Sequence, residues 1–182
     1  MTLPPQLRKL TLSAHVVFSV GWIGALAGFL ALSLAGLSSQ DPQTVRAAYV
    51  ASGLITGFVV VPLALASLLS GLVQALATPW GLFRHYWVLF KLLISVTAAV
   101  TLLMKAGPIG YIADVAAATT LSSFDLRGLR VSLAVHAVGG LLVLLWVAVL
   151  GICKPQGLTR YGWRKQRAQA DAGHSTRGGG SG

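Results

Sequence analysis

Four long apolar stretches, separated by short polar or Pro/Gly-containing breaks, make up most of the chain as far as residue 153. The first, from about Leu12 to Leu34, is long enough as a helix to cross an apolar layer of ~30 Å at ~1.5 Å per residue. Ser38-Ser39-Gln40-Asp41-Pro42 ends it in a short turn. The second, from about Ala47 to Ala77, is too long for an untilted crossing. It carries Pro62 near its middle, where a missing backbone donor predicts a kink. Thr78-Pro79-Trp80-Gly81 closes it. The third runs from about His85 to Met104 and is predicted to stop at Lys105-Ala106-Gly107-Pro108. A connection of Gly107 to Gly128 follows, whose apolar stretch Tyr111–Leu121 is too short to span and is predicted to lie at the interface. The fourth, about Leu129 to Ile152, ends at Lys154-Pro155. The pattern therefore predicts an all-α integral membrane four-helix bundle over 1–153, with spans at about 12–34, 47–77, 85–104 and 129–152. Residues 154–182 form a polar basic tail, in which Gly178-Gly179-Gly180-Ser181-Gly182 reads as an artificial linker.

Composition supports burial in lipid. Hydrophobic residues make up 55% of the chain and charged residues 10%, with a mean hydropathy of +0.75. A soluble domain carries about 25% charged residues, so this chain lacks the polar surface to cover a water-exposed globule. The first apolar run, Leu10 to Leu37, exceeds the ~7–15 residues of a signal peptide's apolar region and predicts a retained helix.

A net charge of +10 raises the question of nucleic acid, but the basic residues cluster at span ends and in the tail. That placement predicts contact with lipid headgroups and no nucleic-acid partner. Arg8, Lys9, Arg84 and the tail cations Lys154, Arg160, Arg164, Lys165, Arg167 and Arg177 share one side. Arg46, Arg127 and Arg130 lie opposite with Asp41, Asp114 and Asp125. This bias predicts a multi-pass protein of the bacterial cytoplasmic (inner) membrane with both termini in the cytoplasm.

Candidate chemistry is sparse. Cys153 is the single cysteine, Met1 and Met104 are the only methionines, and there is no Glu. These exclude an intramolecular disulfide and leave almost no soft ligands for a copper pathway. Ionisable residues inside spans are costly and stand out as functional candidates: His15, Lys91 and His136. From helix rise, His15 lies ~12 Å and Lys91 ~6 Å to the cytoplasmic side of the midplane, and His136 ~9 Å to the other. The first two could meet if spans one and three are neighbours. Gln74, on a stripe with Ser67, Ser70, Gly71 and Thr78, could complete their cluster. His136 is too far along the bundle axis to share a metal with His15, and Gly139 and Gly140 beside it leave room for a flat group or another helix. The plainer alternatives are a histidine bonded to a neighbouring helix and a Lys91 that snorkels to the headgroups. His85 and Arg84 sit at the boundary. Small residues at Gly21, Gly24, Gly28, Ala31 and Ala35, and at Gly53 and Gly57, predict close helix packing. Gly24 is expected to be central to that packing and Gly36 peripheral.

His15-x6-Trp22-x-Gly24 in the first span and Tyr86-Trp87-x3-Lys91-Leu92 in the third resemble the superfamily of the copper-resistance D membrane domain and the haem-containing bacterial protoporphyrinogen oxidases. The likeness covers two of the four spans. It implies haem b, with His15 as the axial metal ligand and Lys91 as its neighbour; Trp22 of the motif and Gln74 of the polar stripe complete the expected cofactor-binding set. After Gly24 the chain departs from the oxidase pattern, carrying apolar residues in place of a Leu-Pro-Arg segment and its histidine. The segment from Trp80 to Trp87 is also similar to one in actinobacterial membrane proteins of no assigned activity. The expected function is thus a haem-like redox cofactor held in the inner half of the bilayer, with enzymatic activity left open. The alternative is a membrane protein without cofactor: a structural subunit of a larger complex or a small-ion permease. Either is compatible with a homo-oligomer.

Overall fold

A computed structural model describes residues 4–77, 86–118 and 126–153. These fold into helices α1 (Pro5–Ser38), α2 (Pro42–Ile55), a π-helical turn (Thr56–Val60), α3 (Val61–Ala77), α4 (Tyr86–Ala118) and α5 (Arg127–Cys153). The α2–π turn–α3 run is continuous, so four helical rods are formed, each long and apolar enough to cross a membrane. The protein is an all-α membrane bundle.

Local chemistry sets the first turn. Pro5 opens α1, where its missing N–H would have had no helical partner. The break to α2 is fixed by Asp41, whose carboxylate accepts the backbone N–H of Gln43 and Thr44 and the Thr44 hydroxyl. Pro42 follows at the first helical position. The disturbance expected at Pro62 takes the form of the π turn just before it. Pro62 cannot donate to the carbonyl one α-turn back, and the wider turn shifts the bonding register, with Val61 N–H bonding the Thr56 carbonyl.

The four rods form a ring. α1 packs on α2–α3 on one side and α5 on the other, and α4 closes the ring against both. α1 and α4 are diagonal, and their backbones do not approach one another among the described residues. Spans one and three are therefore not neighbours, and anything joining them must cross the bundle axis. α1 and α4 begin, and α3 and α5 finish, at one end of the bundle, the near end; the opposite is the far end.

Two expectations are corrected. Lys105-Ala106-Gly107-Pro108 does not stop the third helix, because α4 continues through Pro108 to Ala118. Proline removes one backbone bond, while Ile109, Ile112 and Ala116 beyond it bury one face of the extension. A side chain at Gly53 would meet the Ala113 methyl at 2.6 Å, so α2 and α4 touch closely along this stretch. The second correction concerns glycines. A side chain at Gly24 would meet nothing within 4 Å, whereas one at Gly36 would lie 2.6 Å from the Tyr49 ring. Within α1, Gly36, and not Gly24, is the position where packing demands glycine; Gly21 and Gly28 only graze Leu63 and Ile55.

Tyr49 is held there by Arg130. This arginine is fully buried, donates its Nε to the Tyr49 hydroxyl at 2.9 Å and another guanidinium N–H to the Gly36 carbonyl, and lies 4.7 Å from the Tyr49 ring centre. Gly36 is in the last turn of α1, where carbonyls have no helical partner. Arg46 does the same for α4, donating to the Ala117 carbonyl at 2.8 Å.

Candidate functional site

The polar residues singled out in the sequence fall into two places. Near-end chemistry sits between α1 and α3. His15 Nδ1 lies 3.1 Å from the Ser67 carbonyl and 3.1 Å from the Ser70 hydroxyl. Because a carbonyl can only accept, Nδ1 carries the proton, and Nε2 has its lone pair. The Ser19 and Ser67 hydroxyls bond at 2.8 Å one turn further on, and Gln74 donates Nε2 to the Thr11 carbonyl at 2.9 Å. A side chain at Gly71 would come within 3.0 Å of the His15 ring. Gly71 thus makes the space into which His15 packs, and the Ser67–Ser70–Gly71–Gln74 stripe is a helix-to-helix seam.

Lys91 enters this region from α4, diagonally across the bundle. Its half-buried side chain lies within electrostatic range of His15. Its ammonium sits against α5, 2.8 Å from where a Gly151 side chain would begin. Gly151 is in the last turn of α5, at the negative end of the helix dipole. His15, Gln74 and Lys91 therefore share the near end. The first two are bonded across α1–α3, and the third leans on α5. His85, Arg84 and Thr78 lie outside the described residues.

The second place is a cavity of about 530 Å³ walled by α1, the π turn, α4 and α5. Most of its wall is apolar, with Leu26, Phe29 and Val60 at its back. On the α4–α5 side its wall includes the exposed residues Leu93, Thr97, Val135, His136 and Gly139, so the cavity opens sideways between these helices. Toward the near end the seam is held by an edge-to-face contact of Phe90 with Trp146, ring centres 5.9 Å apart. Trp22 is 3% exposed and forms part of the wall; its N–H, closed off from solvent, has no acceptor among the described residues. His136 stands at the opening with Nδ1 2.6 Å from the Ser132 carbonyl, which fixes the proton on Nδ1 and leaves Nε2 as an acceptor.

Trp22 and His15, two members of one sequence motif, thus serve different places: Trp22 walls the cavity and His15 does not. A haem ligated by His15, as the resemblance implies, would not lie in this cavity. No group of three or more His, Cys, Asp or Glu residues able to hold a metal ion occurs among the described residues. Sequence reasoning passed over Thr97, Thr101 and Lys105, all on the cavity wall. Their signal was present, since polar residues recur at four-residue steps on one face of an otherwise apolar span. No family model, curated protein or solved structure matches the chain.

Proposed function

We propose that this protein holds a flat, mostly apolar molecule, taken up from the bilayer, in the cavity between α1, the π turn, α4 and α5. The observation that carries the reading is the sideways opening of that cavity between α4 and α5, at the depth where only lipid-soluble molecules travel. Its size suits a small molecule, and the π turn belongs to a class of helix irregularity frequent at functional sites. Gly139 supports a flat occupant, because the α5 backbone there is bare and a side chain would meet nothing within 4 Å. The Lys/Arg bias supports placing the near end, with the basic tail, in the cytoplasm of a bacterial cell.

The test uses purified protein in lipid nanodiscs with two probes, a fluorescent polycyclic hydrocarbon and haemin. Wild type should bind the hydrocarbon saturably. Gly139→Leu, which fills the cavity without crowding its neighbours, should lower that binding at least tenfold while keeping the melting temperature. Equal binding by the two proteins would sink the reading and favour a structural subunit or permease. A Soret band with haemin that is lost in His136→Ala would name haem as the occupant. One lost only in His15→Ala would move the site to the α1–α3 seam.

A further inference from the structure

Two polar groups face the part of the cavity toward the far end, Lys105 on α4 and His136 on α5. Counted from the Phe90–Trp146 contact that joins these helices, Lys105 lies 15 residues on, ~22 Å, and His136 10 residues on, ~15 Å. The lysine stem, which leans back toward the start of its helix, spans that difference. Trp22 walls the cavity closer to the near end, one turn before Leu26, which faces Gly140. On the same face of α4 as Lys105, Thr101 lies one turn nearer and Thr97 two turns, and both hydroxyls donate to their own helix, to the Thr97 and Leu93 carbonyls. They can therefore only accept from a guest. The Lys105 ammonium is half-buried and has no hydrogen-bond or ion-pair partner among the described residues. Across the opening, His136 offers the bare Nε2 lone pair, with its Nδ1 proton tied to Ser132.

This part of the cavity thus presents a strong donor on α4 and an acceptor on α5, on opposite sides of a slot whose α5 floor is the Gly139 backbone. Resting on the reading of the cavity as a ligand site, we infer that the guest is a lipid-soluble quinol. A ring oxygen would accept from Lys105, and the hydroxyl at the opposite ring edge of the quinol would donate to His136 Nε2. The ring would lie on Gly139, and the isoprenoid tail would leave through the α4–α5 opening into the bilayer. A fatty acid or other anionic amphiphile would satisfy Lys105 and leave the His136 acceptor without a donor. An oxygen-free hydrocarbon would leave both unmet.

The experiment compares three probes in nanodiscs of neutral lipid: a short-tailed benzoquinol kept reduced, a naphthalene bearing the same tail, and a fatty acid. Binding is read by calorimetry for wild type, Lys105→Met and His136→Phe. Wild type should bind the quinol at least tenfold more tightly than the naphthalene. Each substitution should remove most of that difference and leave naphthalene binding within twofold. Equal affinity for quinol and naphthalene in wild type would overturn the quinol assignment while leaving the cavity as a ligand site. Tighter binding of the fatty acid, sensitive to Lys105→Met alone, would overturn it in favour of an anionic amphiphile. Binding of none of the three would refute the cavity reading itself. Melting temperatures of the variants within a few degrees of wild type separate lost recognition from lost folding.

Discussion

Gly36, Tyr49 and Arg130 act as one unit, since the absent side chain at 36 makes room for a ring whose hydroxyl meets the guanidinium. Tyr49 is 1% exposed and cannot swing outward to accommodate a methyl group at position 36. Gly36→Ala should therefore destabilise by about 1–3 kcal/mol, the usual cost of overpacking, and Gly36→Leu by more. Gly24→Leu should be near neutral, as its side chain would point into open space. Thermal unfolding in detergent checks both; a Gly36→Ala protein as stable as wild type would show that Tyr49 has somewhere else to go. At the same scale, Asp41 makes the turn after α1 sensitive to acid. The hydrogen bond from the Thr44 hydroxyl, with the Thr44 and Gln43 backbone N–H bonds, holds its carboxyl below the ordinary value of 3.8. Its contribution is then complete above the unfolded value and is lost as pH falls through the lower folded one. The melting temperature of wild type should fall below pH 4 more steeply than that of Asp41→Asn, which cannot titrate. Parallel curves would show that the cap contributes nothing.

At the scale of elements, the α4 extension past Pro108 makes the strongest claim about packing. Ile112 is 1% exposed and Ala116 fully buried, whereas Tyr111, just before them on the outer face, is 56% exposed. Ile112→Ala should cost about 2–5 kcal/mol, as for other buried aliphatic truncations, and Tyr111→Ser should be nearly silent. If the two substitutions had equal effects on unfolding, the segment would be an interfacial peptide instead of part of the bundle. The same principle explains the helix ends. Unpaired carbonyls in the last turn of a membrane helix need donors, and here Arg130 serves α1, Arg46 serves α4, and Lys91 lies against the last turn of α5.

For the whole molecule, the arginines at the far end bear on orientation. Arg46 and Arg130 are engaged by neighbouring helix ends, while most cations on the near-end side of the sequence, Arg8, Lys9 and those after Cys153, fall outside the spans. We therefore expect the near end in the cytoplasm. In a Cys153→Ser background, cysteine at Ser39 should react with an impermeant thiol reagent on intact cells, and cysteine at Gln166 should not. The reverse pattern would invert the protein in the membrane, and labelling of both would contradict the four spans.

The sequence by itself determined the class of the protein and the number of its spans, because long apolar runs with so few charges have no stable place other than a bilayer. It also picked out His15, Gln74 and Lys91 at one end of the bundle and kept His136 apart, because helix rise converts residue number directly into depth. Tertiary structure alone decided who meets whom around the ring. Periodicity gives depth but not azimuth, so the diagonal placement of α1 and α4 was not legible. Neither was the division of the His15–Trp22 motif between a seam and a cavity wall. Local signals also misjudged Gly24 and Pro108. A glycine matters only where a neighbour such as Tyr49 fills its space, and a proline ends a helix only where no packed face such as Ile109–Ile112–Ala116 carries it onward.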